Sequence, residues 1–232
     1  MWYHLKIAIY ILLLFQYVSV SGNISAHVRM HVDGSGFHRY FTYHIEVDNL
    51  ILKDCYASLH FVLPSALYVN INELAELKRT DNTTICSVGE TDTELFMENA
   101  NSQNVTICSR IDDGSSIMSL PIHQRYQYPK ENGDYETVVL RKPSLLLGCK
   151  ERIKEYRVSK INLCPLCADK MVKWRELPYN TDEIEYEWTI PIGDISFLSF
   201  VTYITLIITS FGTVLLINTI WTSNIKKHLK KN

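Results

Sequence analysis

The chain has 232 residues, 47% hydrophobic and 21% charged, which is enough for one domain with a buried core once its two ends are set aside. All 25 acidic residues lie between Asp33 and Asp194, and the stretch 22–196 sets 18 basic residues against them, a net charge of −7. With no Lys/Arg stripe, that balance excludes a nucleic-acid binder that works by neutralising phosphates.

The N-terminus reads Met1-Trp2-Tyr3-His4-Leu5-Lys6 and continues into an apolar run from Ile7 to Phe15. The run is too short to cross a bilayer but matches a signal-peptide core, and Ser19, Ser21 and Gly22 offer small residues for cleavage. Residues 1–21 are therefore expected to be a signal peptide, followed by a lumenal β-rich domain over 22–196.

Val28, Met30 and Val32 alternate with His27, Arg29 and His31, the period of a half-buried strand. Phe37, Phe41, Tyr43, Ile45 and Val47 then share one face of a longer strand, with His38, Tyr40, Thr42, His44 and Glu46 on the other. Asp33-Gly34-Ser35-Gly36 between them predicts a hairpin turn, because its glycines tolerate positive φ. Such a turn would set His31 opposite His38, but a zinc site needs three or four ligands and no third is predictable there, so no metal is expected. Arg39 falls on the apolar face and should find a carboxylate or carbonyls.

Ala57, Leu59, Phe61 and Leu63 predict a third strand, and a short one is expected around Tyr68. Asn72 would cap an amphipathic turn through Glu73, Leu74 and Leu77. Lys78 to Asn104 is polar and aperiodic, which predicts a loop-rich excursion. Strands resume at Val105–Cys108, Ile117–Ile122 and Thr137–Leu140. Cys149 to Trp174 is ambiguous between strand and helix. The last strand is the clearest, with Ile184, Tyr186, Trp188, Ile190 and Ile192 alternating with Glu183, Glu185, Glu187 and Thr189. Many short strands and little helix predict an all-β, sandwich-like domain.

From Phe197 to Trp221 no residue is charged, about 37 Å of helix against a hydrocarbon layer of roughly 30 Å. Residues 197–221 are the predicted transmembrane helix, and 222–232 the basic tail. Lys226, Lys227, Lys230 and Lys231 place that tail in the cytoplasm and the body in the lumen, a single-pass type I topology. Asn218 interrupts the span near its cytoplasmic end, where an amide seeks a polar partner, so it is a candidate contact with a neighbouring helix. Lys230 stands third from the end, as in dilysine retrieval signals, with His228 where a second lysine is expected.

All six cysteines, Cys55, Cys86, Cys108, Cys149, Cys164 and Cys167, lie in the body, where an oxidising compartment favours disulfides whose connectivity the spacing leaves open. Sequons at Asn23, Asn82 and Asn104 fit the same side of the membrane. Cys164-Pro165-Leu166-Cys167 has the spacing of a redox dithiol but lacks the βαβ setting of one, so a structural role is expected. Glu183, Glu185 and Glu187 share a strand face with no acid/base partner. There is also no nucleophile elbow, phosphate-binding glycine loop or Asp-x-Asp pair. No catalytic residue and no cofactor are expected.

Several stretches, taken in order, carry a resemblance. They are Gly36-Phe37-His38-Arg39, Leu63-Pro64-Ser65-Ala66-Leu67-Tyr68-Val69 and Glu73-Leu74-Ala75-Glu76-Leu77. Next come Leu120-Pro121-Ile122-His123-Gln124-Arg125-Tyr126, then Val138-Val139-Leu140 to Pro143-Ser144-Leu145-Leu146 and Cys149, and finally Ile190-Pro191-Ile192-Gly193. Together they resemble the phosphatidylinositol-glycan biosynthesis class X (PIG-X) family, related to the fungal protease-B-nonderepressible protein. The resemblance implies a non-catalytic subunit of glycosylphosphatidylinositol (GPI) mannosyltransferase I in the endoplasmic reticulum membrane. Its partner would be a polytopic catalytic subunit of PIG-M type, which transfers the first mannose from dolichyl-phosphate mannose. Lys78 to Ile117 does not visibly follow the family, and no family catalytic residue exists to carry over. The alternatives are a single-pass receptor-like protein, which lacks the Cys…Trp…Cys sandwich signature, or a thiol-redox protein using Cys164 and Cys167.

Overall fold

The computed structural model describes residues 23–80 and 83–229. The expected signal peptide, the Asn82 sequon and Lys230 lie outside the described residues. The chain forms two compact units, one of residues up to 126 with 138–188, the other of 127–137 with 189 onward.

The first unit holds two five-stranded sheets. One runs β11-β1-β2-β7-β4, built from β1 (Ser25–Ser35), β2 (His38–Asp48), β4 (Leu67–Tyr68), β7 (Ser115–Gln124) and β11 (Asn180–Thr181). The other runs β10-β9-β3-β6-β5, built from β3 (Cys55–Leu63), β5 (Thr84–Gly89), β6 (Gln103–Arg110), β9 (Ser144–Cys149) and β10 (Arg175–Glu176). The alternation of the sequence decides the inward faces. Phe41, Tyr43, Ile45, Met118, Leu120 and Ile122 bury from the first sheet, and Leu59, Phe61, Leu63, Val105, Ile107 and Leu145 from the second. Tyr43 and Phe61 meet across the layer with ring centroids 5.4 Å apart. This is an all-β domain of sandwich form, to which one long C-terminal helix is added.

The hairpin is tighter than the expected Asp33–Gly36 turn. The ladder continues to Ser35 opposite His38, so His31 faces Thr42, and His38 has His123 of β7 as its cross-strand neighbour. Gly34 permits this. Its φ is +97° and a Cβ there would lie 2.9 Å from the His38 carbonyl oxygen, so only glycine lets the strands close past it.

The expected excursion at 78–104 contains order. α1 (Ile71–Thr80) leads into β5, which pairs along β6 from Thr84 opposite Cys108 to Gly89 opposite Gln103. β9 was hidden in the sequence because it is apolar on both faces. The reason is the segment 150–174, which covers the outer face of the second sheet with Trp174, Cys164 and Cys167 packed on Leu146 and Cys108. That segment is largely irregular, with one helical turn, α2 (Pro165–Ala168). Gly148 allows its approach, since a Cβ there would lie 2.8 Å from Met171 and 3.1 Å from Trp174.

β8 (Tyr135–Arg141) and β12 (Glu185–Pro191) form a separate two-stranded sheet. Within the second unit, loop 127–137 clasps the residues that lead to the long helix. Ile192 N–H donates to Asp134 C=O (3.0 Å), Lys130 N–H to Gly193 C=O (3.0 Å) and Ile195 N–H to Lys130 C=O (3.1 Å). The Asp194 carboxylate accepts from Ser196 N–H at 2.8 Å, capping a 3-10 turn over Ile195–Phe197. These hydrogen bonds hold the Asp194 carboxyl below its usual pKa. α3 (Leu198–Leu229) follows at once.

Candidate functional site

Three places in the described residues are candidate sites: the long helix, the disulfide-stapled face and a polar cluster on the outer face of the first sheet. Along α3 the stretch Ile195–Ser223 is long and apolar enough to cross a membrane, and its large side chains are exposed. Five of its six threonines are hydrogen-bonded back to their own helix. Thr202 donates to Leu198 C=O (2.7 Å), Thr209 to Thr205 C=O (2.8 Å), Thr213 to Thr209 C=O (2.8 Å) and Thr219 to Leu215 C=O (2.7 Å). The Asn218 side-chain amide makes no such bond among the described residues, and it is exposed. It is the one strongly polar side chain the span offers to another helix.

The six cysteines are paired as Cys55–Cys149, Cys86–Cys164 and Cys108–Cys167. The first joins directly opposed residues of β3 and β9. The other two fasten the 150–174 segment to β5 and β6. Cys164 and Cys167 therefore take different partners instead of each other, and Cys167 is fully buried. This is an arrangement for holding a loop, and it leaves no exposed dithiol to attack a client. Asn23 lies exposed just before β1 and Asn104 exposed on β6, beside Val62 and Val88 of its neighbours. Glu185 and Glu187 are solvated, as expected for that face.

The polar cluster was not foreseen. His38 and His123 stand side by side on adjacent strands, their rings stacked 4.2 Å apart, and Tyr68 stacks on the other side of His123 at 5.1 Å. Glu73 enters from the first turn of α1. Its carboxylate lies 2.7 Å from His123 Nε2 and 3.4 Å from His38 Nε2, and accepts from the Tyr40 hydroxyl at 3.2 Å. Partial burial, then the Glu73 charge, raises the Tyr40 pKa. No periodicity in the sequence brings residues 38, 73 and 123 together. They meet because β2 and β7 are neighbours and α1 leaves β4 beside them.

Three more residues were missed or misjudged, and a fourth, Trp188, is buried as its place on the apolar face of the last strand implied. Gln103, fully buried, exchanges both amide bonds with the Val69 backbone, accepting at 2.8 Å and donating at 3.3 Å. Arg125, also buried, donates to the carbonyls of Asp92 (2.6 Å) and Leu95 (3.2 Å) and lies 4.6 Å over the Tyr68 ring. Burial lowers its pKa. Arg39 finds the Tyr186 hydroxyl and the Trp188 ring, at 4.8 Å, in place of the expected carboxylate or carbonyl. Trp188 itself is fully buried and donates its indole N–H to Gly36 C=O at 2.8 Å, tying the last strand to the first hairpin.

The comparisons with known proteins agree with one another. A family model described as PIG-X / PBN1 matches residues 34–221. Over 193 residues the chain is 25% identical to the stabilizing subunit of GPI alpha-1,4-mannosyltransferase I of Rattus norvegicus, covering 78% of this chain and 76% of that protein. It is 26% identical over 200 residues to the subunit of the same name from Homo sapiens, covering 82% and 78%.

Proposed function

This chain belongs to the PIG-X / PBN1 family, and from that membership we propose that it is the non-catalytic stabilising subunit of GPI alpha-1,4-mannosyltransferase I. The family match, running from the first hairpin into the long helix, is the observation that carries this reading. The catalytic work belongs to a polytopic subunit of PIG-M type in the endoplasmic reticulum membrane. This chain holds that subunit in its folded form, because whatever binds only the folded state raises its population by mass action.

The topology proposed is type I, with the β domain in the lumen. The lysines after Trp221 support it, as do the disulfides and the Asn23 and Asn104 sequons on the N-terminal side of α3. Glycans at Asn23 and Asn104, cleavage near Ser21 and retrieval through Lys230 belong to the same proposal. Asn218 is proposed as the helix contact with the catalytic subunit.

Depletion of the chain tests the proposal. The catalytic subunit and surface GPI-anchored proteins should both fall, and the mannosyltransferase should co-purify with the chain from mild detergent. Unchanged levels of both, or turnover by the isolated chain, would refute it.

A further inference from the structure

We infer that His38, Glu73 and His123 form a site for a divalent metal ion, zinc being the ion that two imidazoles and a carboxylate suit best. The inference is independent of the subunit role. Their donor atoms, two Nε2 and the carboxylate, all lie within 4.8 Å of one another. Four-coordinate zinc, with bonds of about 2.0–2.2 Å, sets neighbouring donors roughly 3.3–3.5 Å apart. Glu73 Oε1 and His38 Nε2, 3.4 Å apart, already stand at that spacing, whereas Glu73 Oε2 and His123 Nε2, hydrogen-bonded at 2.7 Å, must part slightly to admit an ion.

One further feature favours an ion over a simple imidazole–carboxylate pair. His38 Nε2 is shielded from solvent and has no hydrogen-bond partner, although a carboxylate oxygen stands at 3.4 Å. Such a nitrogen is left unsatisfied unless something else is bound there.

Parallel stacked rings direct their lone pairs side by side, so one ring must tilt for both to meet one ion. His38, with its side chain 39% exposed against 19% for His123, has the freedom to do so. A solvent molecule would take the fourth position, on the side of the Tyr40 hydroxyl. The three ligands come from β2, α1 and β7, so a bound ion would fasten α1 across the first sheet and stabilise the fold by linkage.

The test uses the full-length chain, purified in mild detergent without a histidine tag and stripped with EDTA. Titration with zinc should show one ion per chain, micromolar or tighter, with a rise in Tm. Cobalt in its place should give the absorption of a tetrahedral site. Glu73→Gln and His123→Gln should each abolish binding and the Tm rise, whereas His31→Gln should retain both. Glu73→Gln keeps shape and sits on the helix surface, so it covers the case in which His123→Gln fails to fold. No zinc uptake by the wild-type chain, or uptake equal in wild type and Glu73→Gln, would overturn the inference.

Discussion

His60 shows how one side chain couples this fold to pH. It projects from β3 on the outer face of the second sheet, its Nδ1 3.2 Å from the Thr106 hydroxyl, and burial lowers its pKa below the ordinary histidine value of 6.5. The folded chain therefore resists protonation there more than the unfolded chain does. Above about pH 6.5 both states are neutral and nothing is lost, while below it the unfolded state binds the proton first and stability falls. His60→Gln should flatten this acid-side loss, read as a smaller difference in urea midpoint between pH 7.5 and 5.5. Arg125 makes a different demand, because its guanidinium serves two carbonyls and a ring at once. Arg125→Met should cost about 2–3 kcal/mol by leaving those buried acceptors unpaired, measured by chemical denaturation. It should also open the loop around Asp92 to protease. Neither residue's partner could be read from the sequence, since side chains that satisfy distant carbonyls follow no period.

At the scale of elements, legibility depended on whether one face of a strand is wet. β1, β2, β3 and β12 alternate because one side meets solvent or polar neighbours, so their inward residues were readable to within a position or two. β9 reads as a plain apolar run after Ser144 because the 150–174 segment seals its second face, and so short a run fits strand or helix equally well. β5 was obscured by its polar, edge-strand composition. The disulfide pairing was not legible either, because it follows from which strands are neighbours. The seal over β9 gives its own prediction. Gly148→Leu forces a side chain into space held by Met171 and Trp174, and should destabilise by about 1–3 kcal/mol or more, with Cys86–Cys164 and Cys108–Cys167 becoming easier to reduce. The measurement is thiol labelling under mild reductant. Labelling equal to wild type would show that the segment does not depend on that close approach.

For the whole molecule, the division of labour between the β domain and the span decides how a partner is held. A span gains no hydrophobic stabilisation from meeting another helix inside the bilayer, so specificity there rests on packing and on polar groups that need a partner. In α3 the hydroxyls of Thr202, Thr209, Thr213 and Thr219 are already bonded to their own helix, and the Asn218 amide, the more polar group, is the one whose replacement should be felt. An interhelical hydrogen bond of this kind contributes on average about 0.6 kcal/mol and at most roughly 1.7, or about a 3- to 18-fold change in binding. Asn218→Leu should therefore lower recovery of the catalytic subunit within that range while leaving disulfide formation and insertion intact, since leucine suits the bilayer better than asparagine. Trp188→Ala, in contrast, empties a fully buried site and should cost about 3–5 kcal/mol, reducing the chain's own abundance together with its partner's. Quantitative co-purification normalised to the chain's level separates the two. A ratio that falls for Asn218→Leu and holds for Trp188→Ala places recognition in the span. The reverse pattern moves it to the β domain.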